Sequence, residues 1–277
     1  MNFFNTLDFL NQTTSSNNEK NSKKLDIELM ISSLLNLDKI NLYFNPPPMN
    51  ELQREELFSM ILRRNKGEPL AYILGSKGFW KMDFEVNEHV LVPRPETEVL
   101  IETILDQILE DSLTVLDAGT GCGAIALALA IERNQWHVVA TDKSVKALQI
   151  AKRNKLKLKA SVNFLRSNWL DPFGLEQFDL IVSNPPYIDQ NDPCLKADGV
   201  KFEPLSSLVS KNKGLGDLEE IILRSYNCLK RGGNLFLEHA PWQTNEVKTF
   251  LSKSNFIEIK AFKDLNGDER ISSALKF

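Results

Sequence analysis

Val115-Leu116-Asp117-Ala118-Gly119-Thr120-Gly121-Cys122-Gly123-Ala124 is the stretch that decides the fold of this chain. Its apolar start reads as a buried strand, its glycines as a tight turn, and Ala124 opens a helical run to Arg133. Glycines at such a turn let the backbone approach a ligand closely, and the free N–H groups of the first helical turn attract it. Gly119, Gly121 and Ala124 also satisfy the dinucleotide fingerprint, so the loop by itself leaves the ligand's identity open.

Beyond this loop, strand-like and helix-like runs alternate. Strands are expected at Thr114–Ala118, Val138–Thr141, Val162–Leu165, Phe178–Val182 and Leu235–Leu237, with helices at Ala124–Arg133, Val145–Asn154 and Leu218–Lys230. That order predicts an α/β fold, doubly wound, with a mostly parallel sheet between helices. Phe256–Phe262 and Ile271–Phe277 are joined by a short polar turn, which permits only an antiparallel pair. A mostly parallel sheet with an antiparallel last strand is the methyltransferase variant of this fold.

Two acceptor positions follow from the strand ends. Asp142 ends the second strand about 20 residues past the glycines, where an acid can take both hydroxyls of a ribose. Ser144 is the competing helix cap. Ser167-Asn168-Trp169 follows the third strand. In this topology Asn168 is placed to hydrogen-bond an adenine amino group and Trp169 to cover a ring face; the bland alternative packs Trp169 with Phe173.

The chemistry is carried by Asp179-Leu180-Ile181-Val182-Ser183-Asn184-Pro185-Pro186-Tyr187. An apolar strand delivers an amide, two prolines and an aromatic at its C-terminal edge, where open α/β sheets bind ligands. A planar NH2 group is a poor nucleophile because its lone pair is delocalised. The Asn184 side-chain oxygen and the Pro185 carbonyl can accept its two hydrogens and turn the lone pair toward an incoming methyl group. Proline fixes φ and has no N–H, so it holds that carbonyl in place. Tyr187 is expected to stack on the flat acceptor.

Upstream of the loop the pattern is different. Asp26 is expected to cap a helix with Ile27, Met30, Ile31, Leu34 and Leu35 on its apolar side, and Pro46-Pro47-Pro48 breaks the chain. A second helix is expected to turn Leu52, Leu57, Phe58, Ile61 and Leu62 inward and to end before Gly67. Gly78–Val86 and His89–Val92 read as a hairpin, and Pro93 and Pro95 stiffen the entry to the next helix. Three parts result: a helical segment 1–75, a hairpin linker 76–96, and the α/β domain 97–277. The long segment Ile188–Gly216 beside the expected site reads as a lid.

Composition narrows the classes. The 277 residues carry a formal net charge of −4, which counts against a protein gripping nucleic acid through its phosphates. The basic run Lys152, Arg153, Lys155, Lys157 and Lys159 reads as a solvated helix end. Cys122, Cys194 and Cys228 contain no Cys-x-x-Cys pair, so neither a disulfide framework nor a metal site is expected. His89, His137 and His239 belong to no nucleophile motif. No apolar run approaches the roughly 20 residues of a membrane helix, and Met1-Asn2-Phe3-Phe4 starts no signal peptide. A cytoplasmic protein is expected, with no membrane and no stable nucleic acid among its partners.

Gly119–Gly123 together with Asn184-Pro185-Pro186-Tyr187 resembles the class I amino-methyltransferases. Two further segments narrow the resemblance. Glu68-Pro69-Leu70-Ala71-Tyr72-Ile73-Leu74-Gly75 and Val92-Pro93-Arg94-Pro95-Glu96-Thr97-Glu98 resemble the release factor glutamine methyltransferases (PrmC or HemK), from about Asp26 onward. The resemblance implies transfer of a methyl group from S-adenosyl-L-methionine, leaving S-adenosyl-L-homocysteine. The acceptor it implies is N5 of the glutamine in the Gly-Gly-Gln motif of peptide chain release factors, a step in translation termination. It assigns the cofactor to Gly119, Thr120, Gly121, Cys122, Gly123, Asp142, Asn168, Trp169 and Asn184. The glutamine falls to Asn184, Pro185, Pro186 and Tyr187, with Asn184, Pro185 and Tyr187 catalytic. Segment 1–75 becomes a substrate-binding domain. The chain departs from the family pattern at Asn168, at Lys213-Gly214-Leu215 and at Ala240 after Glu238-His239. The alternatives are glutamine methylation of a ribosomal protein and methylation of a nucleic-acid base.

Overall fold

A computed structural model describes residues 17–44 and 47–277. The chain start and Pro46 lie outside the described residues. Two compact units divide between Gly75 and Ser76.

The first unit contains α1 (Asn17–Leu35), α2 (Lys39–Phe44), α3 (Glu51–Asn65) and α4 (Leu70–Leu74). Its core gathers Ile27, Met30, Ile31, Leu42, Met49, Leu57, Met60 and Ile73. Asp26 does not cap a helix. It lies inside α1, where its carboxylate receives Arg64 Nε at 2.6 Å. The capping residue is Asn50, which accepts from Gln53 N at 2.9 Å while Gln53 Oε1 accepts from Asn50 N at 3.0 Å. Leu52, Phe58 and Leu62, expected inward, are exposed. Only Leu57 and Met60 of α3 are buried, with Ile61 packed beside them. That i, i+3, i+4 stripe is all that one neighbouring surface can cover.

The second unit opens with the hairpin β1 (Ser76–Phe79) and β2 (Met82–Glu85), paired from Ser76↔Glu85 to Phe79↔Met82. His89–Val92, expected as its second arm, is not a strand. Val90 N instead closes a turn onto Asn87 O at 3.1 Å, and Pro93 follows with no donor. Then come α5 (Pro95–Gln107), β3 (Thr114–Ala118), α6 (Ala124–Glu132), β4 (His137–Asp142), α7 (Val145–Leu158), β5 (Val162–Arg166) and β6 (Phe178–Ser183). After the Ile188–Gly216 segment follow α8 (Gly216–Cys228), β7 (Leu229–Glu238), α9 (Thr244–Lys253), β8 (Phe256–Lys263) and β9 (Glu269–Lys276).

The basic run on α7 does structural work: Arg153 pairs with Glu85 and Lys157 with Asp83, while Asn154 Oδ1 accepts from Glu85 N at 2.7 Å. These bonds fasten the hairpin to the α/β layer.

The seven main strands run in the order β5-β4-β3-β6-β7-β9-β8. All lie parallel except β9, which is antiparallel to both β7 and β8. The mostly parallel sheet with an antiparallel last strand is as expected, and that strand, β9, is inserted second from the edge. The winding reverses between β3 and β6, so their C-terminal ends border the crevice such sheets use for ligands. Beneath it lies a core including Leu116, Ile181, Leu218, Ile222, Leu235 and Val247. Among the described residues no helix is long and apolar enough to cross a membrane.

Candidate active site

The glycine loop is lashed to β4 by its own backbone. Gly119 N and Thr120 N both donate to Thr141 O, at 2.9 and 2.8 Å. Gly119 has φ +86°, and a Cβ there would sit 2.6 Å from a Trp169 ring carbon. Only glycine meets both demands. Trp169 therefore has two faces: it belongs to the core with Leu170 and Phe173, and it also lines the cavity above the loop.

Asp142 and Ser144 stand close together after β4, and both accept from backbone N–H groups. Ser144 Oγ caps α7 by accepting from Ala147 N at 3.1 Å. Asp142 Oδ2 accepts from Gly121 N at 3.0 Å and Oδ1 from Ser144 N at 2.8 Å, which holds the carboxylate at the cavity wall. Burial raises its pKa against those two N–H groups. A carboxylate has about four lone-pair sites, so roughly two remain for a ligand. Below the loop, burial pushes the Asp117 carboxyl up to about 7. Asp117 Oδ1 and Thr120 Oγ1 are both buried and without a hydrogen-bond partner.

At the end of β6, Ser183 Oγ donates to Ala118 O at 2.5 Å and fixes this strand end against β3. Asn184 Nδ2 donates to Thr97 Oγ1 at 3.0 Å. Thr97 stands in the first turn of α5, where Pro95 supplies a preset φ. Tyr187 is not on the cavity wall. Its ring packs against the sheet core, and its hydroxyl donates to Glu238 Oε1 at 3.4 Å. Burial beside the Glu238 carboxylate raises the phenol pKa. Its backbone is gripped as well: Gln243 Nε2 donates to Tyr187 O at 3.0 Å, and a Cβ on Gly214 would sit 2.2 Å from that oxygen. Stacking of the Tyr187 ring on an acceptor is thus not what this arrangement offers.

One cavity of about 930 Å³, part of it open to solvent, joins these elements. It is lined by Gly119, Thr120, Gly121, Cys122, Asp142, Asn168, Trp169, Asn184 and Pro186. Gly123, Pro185 and Tyr187 are absent from its wall. Burial pushes the Cys122 thiol up to about 12, so it acts as a small wall group and not as a nucleophile. His89, read as structural, reaches the rim, whereas His239 is buried against Ser272 Oγ at 2.7 Å.

Residues that local patterns did not single out complete the wall: Arg94, Thr97, Pro204 and Ser206. Arg94 Nη2 donates to both oxygens of the buried Glu203 carboxylate, at 2.8 and 2.9 Å. This pair ties the 188–216 segment down over the cavity. Its base is fixed by Ile188 N to Leu208 O at 2.9 Å and Ser210 N to Ile188 O at 3.0 Å. The Val92–Glu98 segment did carry a signal, its proline-flanked arginine and acids, but no local pattern named their partners.

Comparison with known proteins agrees with the fold. A family model described as a methyltransferase small domain matches residues 95–197, and a PrmC N-terminal domain model matches residues 8–75. The release factor glutamine methyltransferase of Pasteurella multocida is 39% identical, over 92% of this chain and 93% of that protein. Those of Pseudomonas aeruginosa (42% identical, 91% and 92% covered) and Escherichia coli (36%, 95% and 96%) are similar over comparable spans. Among solved structures, a methyltransferase from Pyrococcus furiosus matches with TM-score 0.56 at 21% identity, over 79% of this chain and 97% of that one. A T. thermophilus 16S rRNA N2 methyltransferase solved with AdoMet and guanosine also gives 0.56, at 19% identity, over 73% and 50%. At such identities the two structures establish the fold alone.

Proposed function

The chain belongs to the release factor glutamine methyltransferases, and we propose that it methylates the side-chain nitrogen of the Gly-Gly-Gln glutamine of release factors, with S-adenosylmethionine as donor. The observation that carries this reading is that the glycine loop, Asp142 and Asn184 line one cavity at the switch point of the sheet.

The residues present suit the cofactor. Asp142 keeps lone pairs for a ribose diol, and the Gly119 turn leaves room where a Cβ would collide with Trp169. Thr120 Oγ1, on the cavity wall, is a buried polar atom without a hydrogen-bond partner. S-adenosylmethionine, when bound, supplies an electrophilic methyl group on a sulfonium. Asn184 Oδ1, its amide nitrogen being engaged by Thr97, is the acceptor for one amide hydrogen of the glutamine. As positive charge grows on the attacking nitrogen, that oxygen binds its hydrogen more strongly, so the contact favours the transition state over the ground state. The segment tied by Arg94 and Glu203 keeps bulk water from competing for the amide. Residues 1–75 serve as the grip on the protein substrate, and a cytoplasmic setting fits such a partner.

Mass spectrometry of a release factor incubated with enzyme and S-adenosylmethionine tests this. One methyl group on the Gly-Gly-Gln glutamine is the expected result. Methyl transfer to a ribosomal protein or to RNA, with that glutamine unmodified, would overturn it.

A further inference from the structure

Between the hairpin and the cofactor loop stands one fully buried amide. Asn154, on α7, is 0% exposed and lies behind the cavity wall, not on it. Its Oδ1 accepts from Glu85 N at 2.7 Å and its Nδ2 donates to Glu85 O at 3.0 Å. These are the two bonds that an antiparallel neighbour exchanges with a single residue. Nδ2 also donates to Cys122 O at 2.9 Å. A side-chain amide has two N–H hydrogens, so both are engaged and the group is fixed from two directions.

At the loop end, the peptide joining Cys122 to Gly123 is held by both of its polar atoms. Asn154 takes the oxygen, and Thr120 O takes the Gly123 N–H at 2.8 Å. Here α7 approaches closely: a Cβ on Gly123 would sit 3.3 Å from the Ala151 Cβ, one turn before Asn154. Cys122 itself lines the cavity. The front of the loop is thus held from β4 by Thr141 O and Asp142, and its end from α7 by Asn154. At the hairpin end, α7 adds only the Arg153–Glu85 and Lys157–Asp83 pairs, which are exposed and of the kind that contributes little.

We propose that Asn154 is a positioning residue that couples the β1–β2 hairpin to the cofactor loop, so that cofactor binding and hairpin docking stabilise each other. The physical reason is that one rigid planar group serves both. An amide that turns to follow a displaced Cys122 O loses its alignment with Glu85, and the reverse holds equally. Cys122 is 3% exposed, so an oxygen released there is poorly served by water. Coupling of this kind is reciprocal: a ligand that orders the loop tightens the hairpin by the factor by which the docked hairpin tightens the ligand.

The inference rests on the cofactor lying against the glycine loop, so wild-type binding of S-adenosylhomocysteine is measured first. No binding would sink that reading, and the coupling with it. Given binding, amide hydrogen exchange is compared with and without S-adenosylhomocysteine. The ligand should slow exchange in β2 by about threefold or more beyond its effect in β8 and β9, which lie at the far edge of the sheet and report overall stabilisation alone. Asn154→Asp keeps an oxygen for Glu85 N and loses both donors, whereas Asn154→Ala loses every bond. Each should weaken S-adenosylhomocysteine binding by about 5–10-fold or more, the scale of one lost hydrogen bond, and abolish the extra slowing in β2. On release factor, both should raise KM for S-adenosylmethionine and keep kcat near wild type at saturating cofactor. A merely structural role would instead reduce the folded fraction, lowering kcat with KM unchanged. An unchanged Kd in the folded variants, slowing in wild-type β2 no greater than in β8 and β9, or extra slowing that survives in Asn154→Asp would each overturn the proposal. Should both variants fail to fold, the wild-type exchange comparison decides alone.

Discussion

The glycine loop after β3 and the Asn184 turn after β6 end neighbouring strands and face one cavity, but they are made of different material. The loop is main chain. Its hydrogen bonds run from Gly119 N and Thr120 N to Thr141 O, and its side chains are chiefly absent or small. The turn depends on side chains: Asn184 Nδ2 donates to Thr97 Oγ1 and the Tyr187 hydroxyl to Glu238 Oε1, both away from the helix and strand ladders. A backbone cradle recognises a ligand by shape and proximity, whereas a wired side-chain cluster sets the direction of hydrogen bonds. Binding and chemistry are thus separable along the edge of a single sheet.

That separation can be broken first at the turn. Asn184→Ala should lower kcat by about 10²–10³-fold, the scale of losing one preorganised hydrogen-bonding group, with cofactor still bound. Asn184→Asp, which keeps an oxygen of the same reach, should exceed the alanine variant. Steady-state kinetics on release factor check both, and a wild-type rate for Asn184→Ala would remove the turn from the chemistry.

At the loop the expected effect is smaller and of another kind. Asp142→Ala should weaken cofactor binding by about 1.5–3 kcal/mol, as for hydrogen bonds to a charged group. Part of that loss comes through the freed Gly121 N and Ser144 N, which the carboxylate now holds. Calorimetry checks it; an unchanged Kd would make Asp142 a loop brace alone.

The smallest effect concerns stability and its dependence on pH. Burial pushes Glu238 up to about 7 from an ordinary 4.5. A carboxyl whose folded pKa is raised leaves stability whole below about pH 4.5 and erodes it as pH rises toward 7. Glu238→Gln removes that erosion. The variant should be more stable than wild type by about 1–2 kcal/mol at pH 8, with the gap closing as pH falls below 5. Denaturant titrations at both pH values check it, and parallel curves would show the glutamate to be no more costly than its amide.

Much of this architecture is legible in sequence because the signals are local. Each strand or helix run, the glycine loop after an apolar strand, and Asn184-Pro185-Pro186 at a later strand end are carried by consecutive residues of the chain. Such patterns report backbone conformation and ligand-facing edges directly. Apolar periodicity is weaker evidence, since it marks a face without saying how much of it is covered. Leu57 and Met60 met a neighbour and Leu52, Phe58 and Leu62 did not.

What sequence alone determined, then, is the doubly wound sheet, the two ligand-facing turns and the class of chemistry they serve. The tertiary structure decided the wiring: Thr97 meets Asn184 from 87 positions away, Arg94 meets Glu203 from 109, and Tyr187 meets Glu238 from 51. Those partnerships depend on strand order, on the β6–β7 register and on where α5 lands. None of these leaves a periodic mark, because a hydrogen bond needs two atoms about 3 Å apart in space and is indifferent to their separation along the chain.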